Sequence, residues 1–329
     1  MRPEEYARIA AGYRRFAEQE ACGRSPLYVE LASGVARDPE VLAFLAALPR
    51  GKRQPNLLFA CFRYVYGIPA GWDRFQRCLL ANRDAVRAQM LRRSTQTNEP
   101  ARCAVLLPIL ARLPQPLALI EVGASAGLCL LPDHYGYDYG DRRLLPEAGA
   151  PEPPVFRCTV NAATPVPAAL PHIVWRAGLD LNPLDPAAAD DVAWLEALVW
   201  PEQNARRASL RAALRIAAET KPHVIKGDLR SDLPALAAEA PKNVTLVIFH
   251  TAVLAYLPPL VERQAFSRSV ASLGDFWIAN EAPGVFPDLA ARTGGPGPRG
   301  AFLLSLNGTP VAWTDPHGAW LDWIAASDD

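Results

Sequence analysis

The chain has 329 residues, 50% hydrophobic and 21% charged, which excludes extended disorder and allows two modest domains or one large one. Formal net charge is zero, yet residues 1–115 hold 18 Arg+Lys against 10 Asp+Glu, so a basic first third is balanced by an acidic remainder. No run of about 18 uncharged apolar residues occurs, so no membrane span is expected. The opening Met1-Arg2-Pro3-Glu4-Glu5-Tyr6 lacks the apolar segment of a signal peptide, and a cytoplasmic protein is expected. The six cysteines (Cys22, Cys61, Cys78, Cys103, Cys129, Cys158) show no C-x-x-C pair and no Cys/His cluster, so reduced thiols and no metal site are expected. Only four of the 34 basic residues are lysine, which fits a GC-rich genome; the basic region also suits an anionic substrate.

Residues 1–115 read as helices. Tyr6, Ile9, Ala10, Tyr13, Phe16 and Ala17 fall on one helical face. Asp38-Pro39-Glu40 is a helix start, with an N-cap acid, a proline whose missing N–H is harmless there, and an acid near the positive end of the dipole. Helical runs follow over 41–48, 57–65, 75–90 and 101–113. From Leu117 the pattern changes. Short apolar runs at 117–122, 172–175, 224–226, 244–249 and 276–279 predict strands, with helices at 191–198, 204–219 and 260–272. Strands alternating with helices predict an α/β, Rossmann-like, mostly parallel sheet. Asn307-Gly308 between the runs 301–306 and 311–314 predicts a terminal antiparallel hairpin. Between about 132 and 171, Tyr-Gly alternation and repeated prolines mark an insertion, with a small strand over 155–160. The expected organisation is a helical region 1–115 followed by a domain over 116–329.

The sharpest local signal is Glu121-Val-Gly123-Ala-Ser125-Ala-Gly127-Leu128, directly after an apolar strand. Small residues let backbone approach a ligand, a helix start offers free N–H groups, and an acid two before the first glycine suits a ligand amino group. The string fits nucleotide binding, a nucleophile elbow or tight strand-to-helix packing.

Thr97-Asn98-Glu99-Pro100-Ala101-Arg102, the Glu121–Leu128 string, Gly178-Leu-Asp-Leu-Asn-Pro-Leu-Asp185, Leu198-Val-Trp-Pro-Glu-Gln203 and Trp320-Leu-Asp-Trp323, in this order, resemble the bacterial family of domain of unknown function 2332. Its members are described as similar to S-adenosylmethionine-dependent methyltransferases. The resemblance implies a class I methyltransferase-type sheet with S-adenosylmethionine as cofactor and an unidentified methyl acceptor. It places Glu121, Gly123, Ser125 and Gly127 at the methionine part of the cofactor, Asp180 at the ribose and Asp228 at the adenine. Arg102 would reach the cofactor carboxylate, and His250 and Glu281 would be acceptor-side bases. The helical region would form a lid over the acceptor. The 57 positions from Gly123 to Asp180 far exceed the roughly 20 of a compact unit, and the insertion accounts for them.

Each residue has a plainer role as well. Thr97 or Asn98 is a cap, Asp228 a helix cap, His250 a satisfied buried histidine, and Trp200-Pro201-Glu202-Gln203 a helix–helix turn. Two rival functions are carried. In an α/β-hydrolase, Ser125 is the nucleophile, His317 the histidine, and Asp275 or Asp288 the acid. That reading lacks an oxyanion segment and has some 115 helical residues before its first strand. In a non-catalytic binding protein, the same turn holds a nucleotide only. No nucleic-acid recognition motif is present.

Overall fold

Leu117–Val122 forms strand β1, buried along its whole length, at the middle of the five parallel strands of the main sheet. The computed structural model describes residues 2–96, 98–147, 152–257 and 259–324. The later strands are β2 (Gly136–Asp138), β3 (Arg143–Leu144), β4 (Val155–Arg157), β5 (Thr159–Val160), β6 (Ile173–Asp180), β7 (His223–Lys226), β8 (Thr245–Thr251), β9 (Phe276–Glu281), β10 (Phe302–Leu306), β11 (Thr309–Thr314) and β12 (Trp320–Trp323). The main sheet runs β5-β12-β11-β10-β9-β8-β1-β6-β7. Strands β7, β6, β1, β8 and β9 are mutually parallel, and β10, β11 and β12 are antiparallel to their predecessors. The protein is therefore α/β with a mostly parallel central sheet, antiparallel strands at one end and a helical N-terminal region.

The helices are α1 (Arg2–Arg15), α2 (Pro26–Val35), α3 (Pro39–Ala46), α4 (Pro55–Tyr66), α5 (Trp72–Ala81), α6 (Arg83–Arg92), α7 (Cys103–Leu110), α8 (Ala189–Leu198), α9 (Asn204–Thr220), α10 (Leu233–Ala238) and α11 (Leu260–Val270). Asp38 caps α3 as expected, its Oδ1 accepting the N–H groups of Glu40 and Val41 at 2.9 Å. The run 75–90 is not one helix. Asn82 turns its Nδ2 onto the Cys78 carbonyl at 2.8 Å, and this local bond competes with helix continuation, so α5 ends and α6 begins there.

Two compact units result: Met1–Thr97 with Ala189–Ala208, and Asn98–Ala188 with Ser209–Asp329. The sequence boundary at residue 115 thus moves to 97/98, because α7 is packed within the second unit. In the first unit α8 returns to the N-terminal helices. Arg63 donates from Nη1 to the carbonyls of Ala197 and Val199 at the end of α8, and to Tyr28 Oη at 3.2 Å. Arg93 lies over the rings of Tyr64 and Trp194, 4.2 and 4.9 Å from their centroids. The carbonyls hold the Arg63 guanidinium, and the cation–π contacts together with a 2.8 Å ion pair to the exposed Asp190 hold that of Arg93, so no carboxylate is buried for either.

In the second unit, Ile120, Val122, Leu179, Ile248 and Trp277 form one face of the sheet and pack under Leu236 of α10 and Phe266 and Val270 of α11. Each fully buried aliphatic or Phe side chain here contributes about 1.5–3 kcal/mol. The insertion carries no long helix among its described residues. It forms a separate three-stranded sheet, β3-β2-β4, and sends β5 to the edge of the main sheet beside β12. The run 155–160 therefore splits at Cys158 between two sheets. The hairpin forms at Asn307-Gly308, with φ of 48° and 72° and Leu306 opposite Thr309, the geometry expected of a two-residue turn. Among the described residues no strand precedes β1, and no helix is long and apolar enough to cross a membrane.

Candidate functional site at the C-terminal edge of the sheet

The chain leaves β1 for β6 on one side and later places β8 on the other, so the connections diverge at the carboxyl end of β1. In parallel α/β sheets this divergence leaves a crevice where ligands bind. The turn after β1 sits there. Its Gly123 and Ala124 amides donate to the Leu179 carbonyl, and the Ser125 amide donates to Asp180 Oδ2 at 2.8 Å. Asp180 Oδ1 accepts the Asn182 amide at 2.8 Å. Asp180 ends β6 as expected, and its carboxylate braces the turn; each oxygen retains lone-pair capacity beyond the one N–H it accepts. Asn98 Nδ2 donates to the Ala124 carbonyl at 3.2 Å from the other side. The cap of the 100–102 turn is Glu99, whose Oε1 accepts the Ala101 amide, while the candidate cap Thr97 lies outside the described residues.

The helical segment after the turn is short: Leu128–Leu130 is one buried 3-10 turn. One expectation about the turn itself changes. Gly123 has φ of +75°, and a Cβ there would lie 2.3 Å from Val253 Cγ2, so its missing side chain makes room for Val253 of the loop after β8. Gly127 (φ +71°) faces Pro222 and Val224 in the same manner. The glycines serve internal packing.

Glu121 is buried at the end of β1. Burial pushes its carboxyl well above the usual range; the neighbouring Cys129 adds to the rise and Arg102 opposes it. Among the described residues, Glu121 Oε2 and Ser125 Oγ are buried without a hydrogen-bond partner. Arg102 is also buried. Its Nη1 donates to the carbonyl and Oγ1 of Thr251 at 3.1 Å, and its Nε donates to the Pro316 carbonyl at 2.8 Å.

His250 and Glu281, expected as acceptor-side bases, meet on the sheet face covered by α11. Glu281 Oε1 lies 2.7 Å from His250 Nδ1 and also accepts the amides of Val253 and Leu254 at 2.8 and 3.1 Å. Trp277 Nε1 donates to His250 Nε2 at 3.1 Å. That bond makes Nε2 the acceptor and Nδ1 the donor, so both ring nitrogens are engaged and His250 is fully buried. The pair braces the loop carrying Val253 through Glu281 Oε1, while Glu281 Oε2 is buried without a hydrogen-bond partner among the described residues. Asp228 lies elsewhere, forked onto Arg230 at 2.5–3.2 Å; these bonds and the Arg230 amide hold its carboxyl down at about 2.

The hydrolase constellation is not assembled. Ser125 Oγ has no hydrogen-bond partner, so no histidine activates it. Asp275 precedes β9, at the opposite edge of the sheet from Ser125, and its Oδ2 accepts the Leu246 amide at 2.8 Å. The 315–318 turn is instead packed on the 101–102 backbone, where a Cβ at Gly318 (φ +82°) would meet the Ala101 carbonyl oxygen at 2.1 Å. Trp200-Pro201-Glu202-Gln203 belongs to the first unit. There Trp200 Nε1 donates to Asn56 Oδ1 at 3.1 Å, and Glu202 Oε1 accepts the Leu27 amide at 3.2 Å, so these residues fasten α8 to the N-terminal helices.

Sequence reasoning missed Asn280 and Thr314. Asn280, fully buried in β9, accepts at Oδ1 from Thr314 Oγ1 at 2.8 Å, and its Nδ2 has no partner. The apolar run over 276–279 stops one residue short of it.

These elements define an α/β protein with a mostly parallel sheet, a helical N-terminal region and buried polar groups at the carboxyl edge of the central strands. The chain belongs to the DUF2332 family, described as uncharacterized protein conserved in bacteria, whose model matches residues 10–323. No curated protein matches it. A crystal structure described as that of a possible exported protein from Bordetella parapertussis is similar at 13% identity and a TM-score of 0.29, over 88% of this chain and 75% of that one, a likeness too weak to bear on fold or function.

Proposed function

We propose that the second unit is a Rossmann-like, class I methyltransferase-type domain that binds S-adenosylmethionine at the carboxyl edge of β1 and serves an acceptor not identified here. The observation that carries this reading is Glu121: a buried acid at the divergence point of the parallel strands whose Oε2 has no hydrogen-bond partner among the described residues. A buried polar atom without a partner costs about 1–3 kcal/mol, and a ligand donor there removes that cost. The parallel strands order as third, second, first, fourth, fifth, which is the nucleotide-binding order of doubly wound sheets.

The residues fit the cofactor in part. Glu121 and Ser125 offer unpaired polar atoms to its methionine portion, Arg102 suits its carboxylate, and Asp180 retains acceptor capacity for a ribose hydroxyl. Asp228 is committed to Arg230 and drops out as an adenine contact by its carboxylate. When bound, the cofactor supplies an electrophilic methyl group; the protein's part is to orient donor and acceptor. His250 and Glu281 act by holding the loop after β8. Thermal denaturation with S-adenosylmethionine, S-adenosylhomocysteine and NAD tests the reading. The two adenosyl compounds are expected to raise the melting temperature in a concentration-dependent way and NAD to have no effect. Stabilisation by NAD alone would replace the cofactor class.

A further inference from the structure

Arg102 is a buried cation that forms no ion pair among the described residues; the carbonyls of Thr251 and Pro316, the Thr251 hydroxyl and the Phe302 ring, 6.0 Å away at its centroid, hold it. These neutral groups solvate the guanidinium and leave it without a counter-charge at hydrogen-bond distance, and a buried charge is costly unless paired. Glu121, the acid whose charge Arg102 feels, is itself driven toward the neutral form by burial. Asn280 adds a second unmet need, a fully buried N–H2 donor with no acceptor.

The sheet register places these two needs together. Thr251 of β8 and Asn280 of β9 are direct partners in a parallel pair, so their side chains leave the same face, on strands about 4.8 Å apart. Arg102 is anchored on one side to Thr251 Oγ1 and on the other to the Pro316 carbonyl. Asn280 is bound to Thr314, two residues before Pro316. The arginine therefore reaches from one neighbour of Asn280 to the chain just beyond the other, and both donors belong to one buried cluster with Thr251 and Thr314.

We propose that Arg102 and Asn280 form an oxyanion subsite at the carboxyl edge of β8 and β9 that takes a carboxylate of a bound small molecule. The cation supplies the counter-charge and the carboxamide a neutral donor, while Thr251 and Thr314 orient the two groups. The subsite rests on these buried donors and holds whether the carboxylate belongs to the cofactor or to a second ligand.

Acetate is the probe, titrated at constant ionic strength against chloride. Wild-type protein is expected to show a saturable rise in melting temperature, and the isotope-labelled side-chain amide resonances of Asn280 are expected to shift with the same midpoint. Asn280→Asp keeps the acceptor for Thr314 and places an internal carboxylate by Arg102. It is expected to melt no lower than wild type without acetate and to lose the acetate response. Loss of the response upon adding S-adenosylhomocysteine, but not 5′-methylthioadenosine, assigns the carboxylate to the cofactor; persistence with both assigns it to a separate ligand, and either result supports the subsite. Absence of a saturable response in wild type, unmoved Asn280 resonances, or an undiminished response in Asn280→Asp would overturn it. The resonance measurement uses wild-type protein, so it decides the matter even if the variant does not fold.

Discussion

Burial changes the chemistry of Glu121. Its ordinary value of 4.5 applies to the unfolded chain, whereas in the folded protein burial raises it, so the folded state holds a proton over a window that opens at about that value. The unfolded state binds fewer protons there, and stability falls as pH rises through the window. Glu121→Gln removes the titration and keeps the size. It is expected to raise stability above about pH 5 and to flatten the decline there, as read by urea unfolding at each pH. An unchanged slope would show that Glu121 is ionised in the folded protein. Glu121 was legible in the sequence because it stands two before the first glycine of the string that follows an apolar run, and Asp180 through the family resemblance. Asn280, Thr251 and Thr314 were not, because their meaning lies in cross-strand register between residues some thirty positions apart.

The loop after β8 is the element on which the site's shape depends. Its Val253 fills the space over Gly123, Ala252 adopts φ of 59°, and the Val253 and Leu254 amides both end on Glu281. Removing the acceptor of such buried bonds costs about 1–3 kcal/mol. Glu281→Ala is accordingly expected to destabilise the protein by about that amount and to speed amide exchange at Val253 and Leu254, leaving exchange in β1 slowest. Uniform acceleration across the sheet would instead mean that Glu281 supports the whole core. At this scale the strand order and the hairpin were readable from apolar runs and the Asn-Gly turn. The true length of β6 was not, since Arg176 interrupts its run, and only the fold shows that residue forked onto Asp133 at 2.8–2.9 Å.

For the whole molecule, the sequence separates helical and sheet-forming halves by composition. It does not show that α8, lying between β6 and β7 in the chain, joins the N-terminal helices, because that depends on Arg63 meeting the carbonyls at the end of α8. The second unit carries the proposed cofactor site, with Asp180 linking the strand end to the turn after β1. Calorimetric titration of S-adenosylhomocysteine into wild type and Asp180→Ala measures that claim directly. The account predicts saturable binding to wild type at one site per chain. It also predicts affinity about 10- to 150-fold weaker in Asp180→Ala, corresponding to about 1.5–3 kcal/mol for a hydrogen bond to a charged group. Equal affinity in a folded Asp180→Ala, or no binding to wild type, would contradict it.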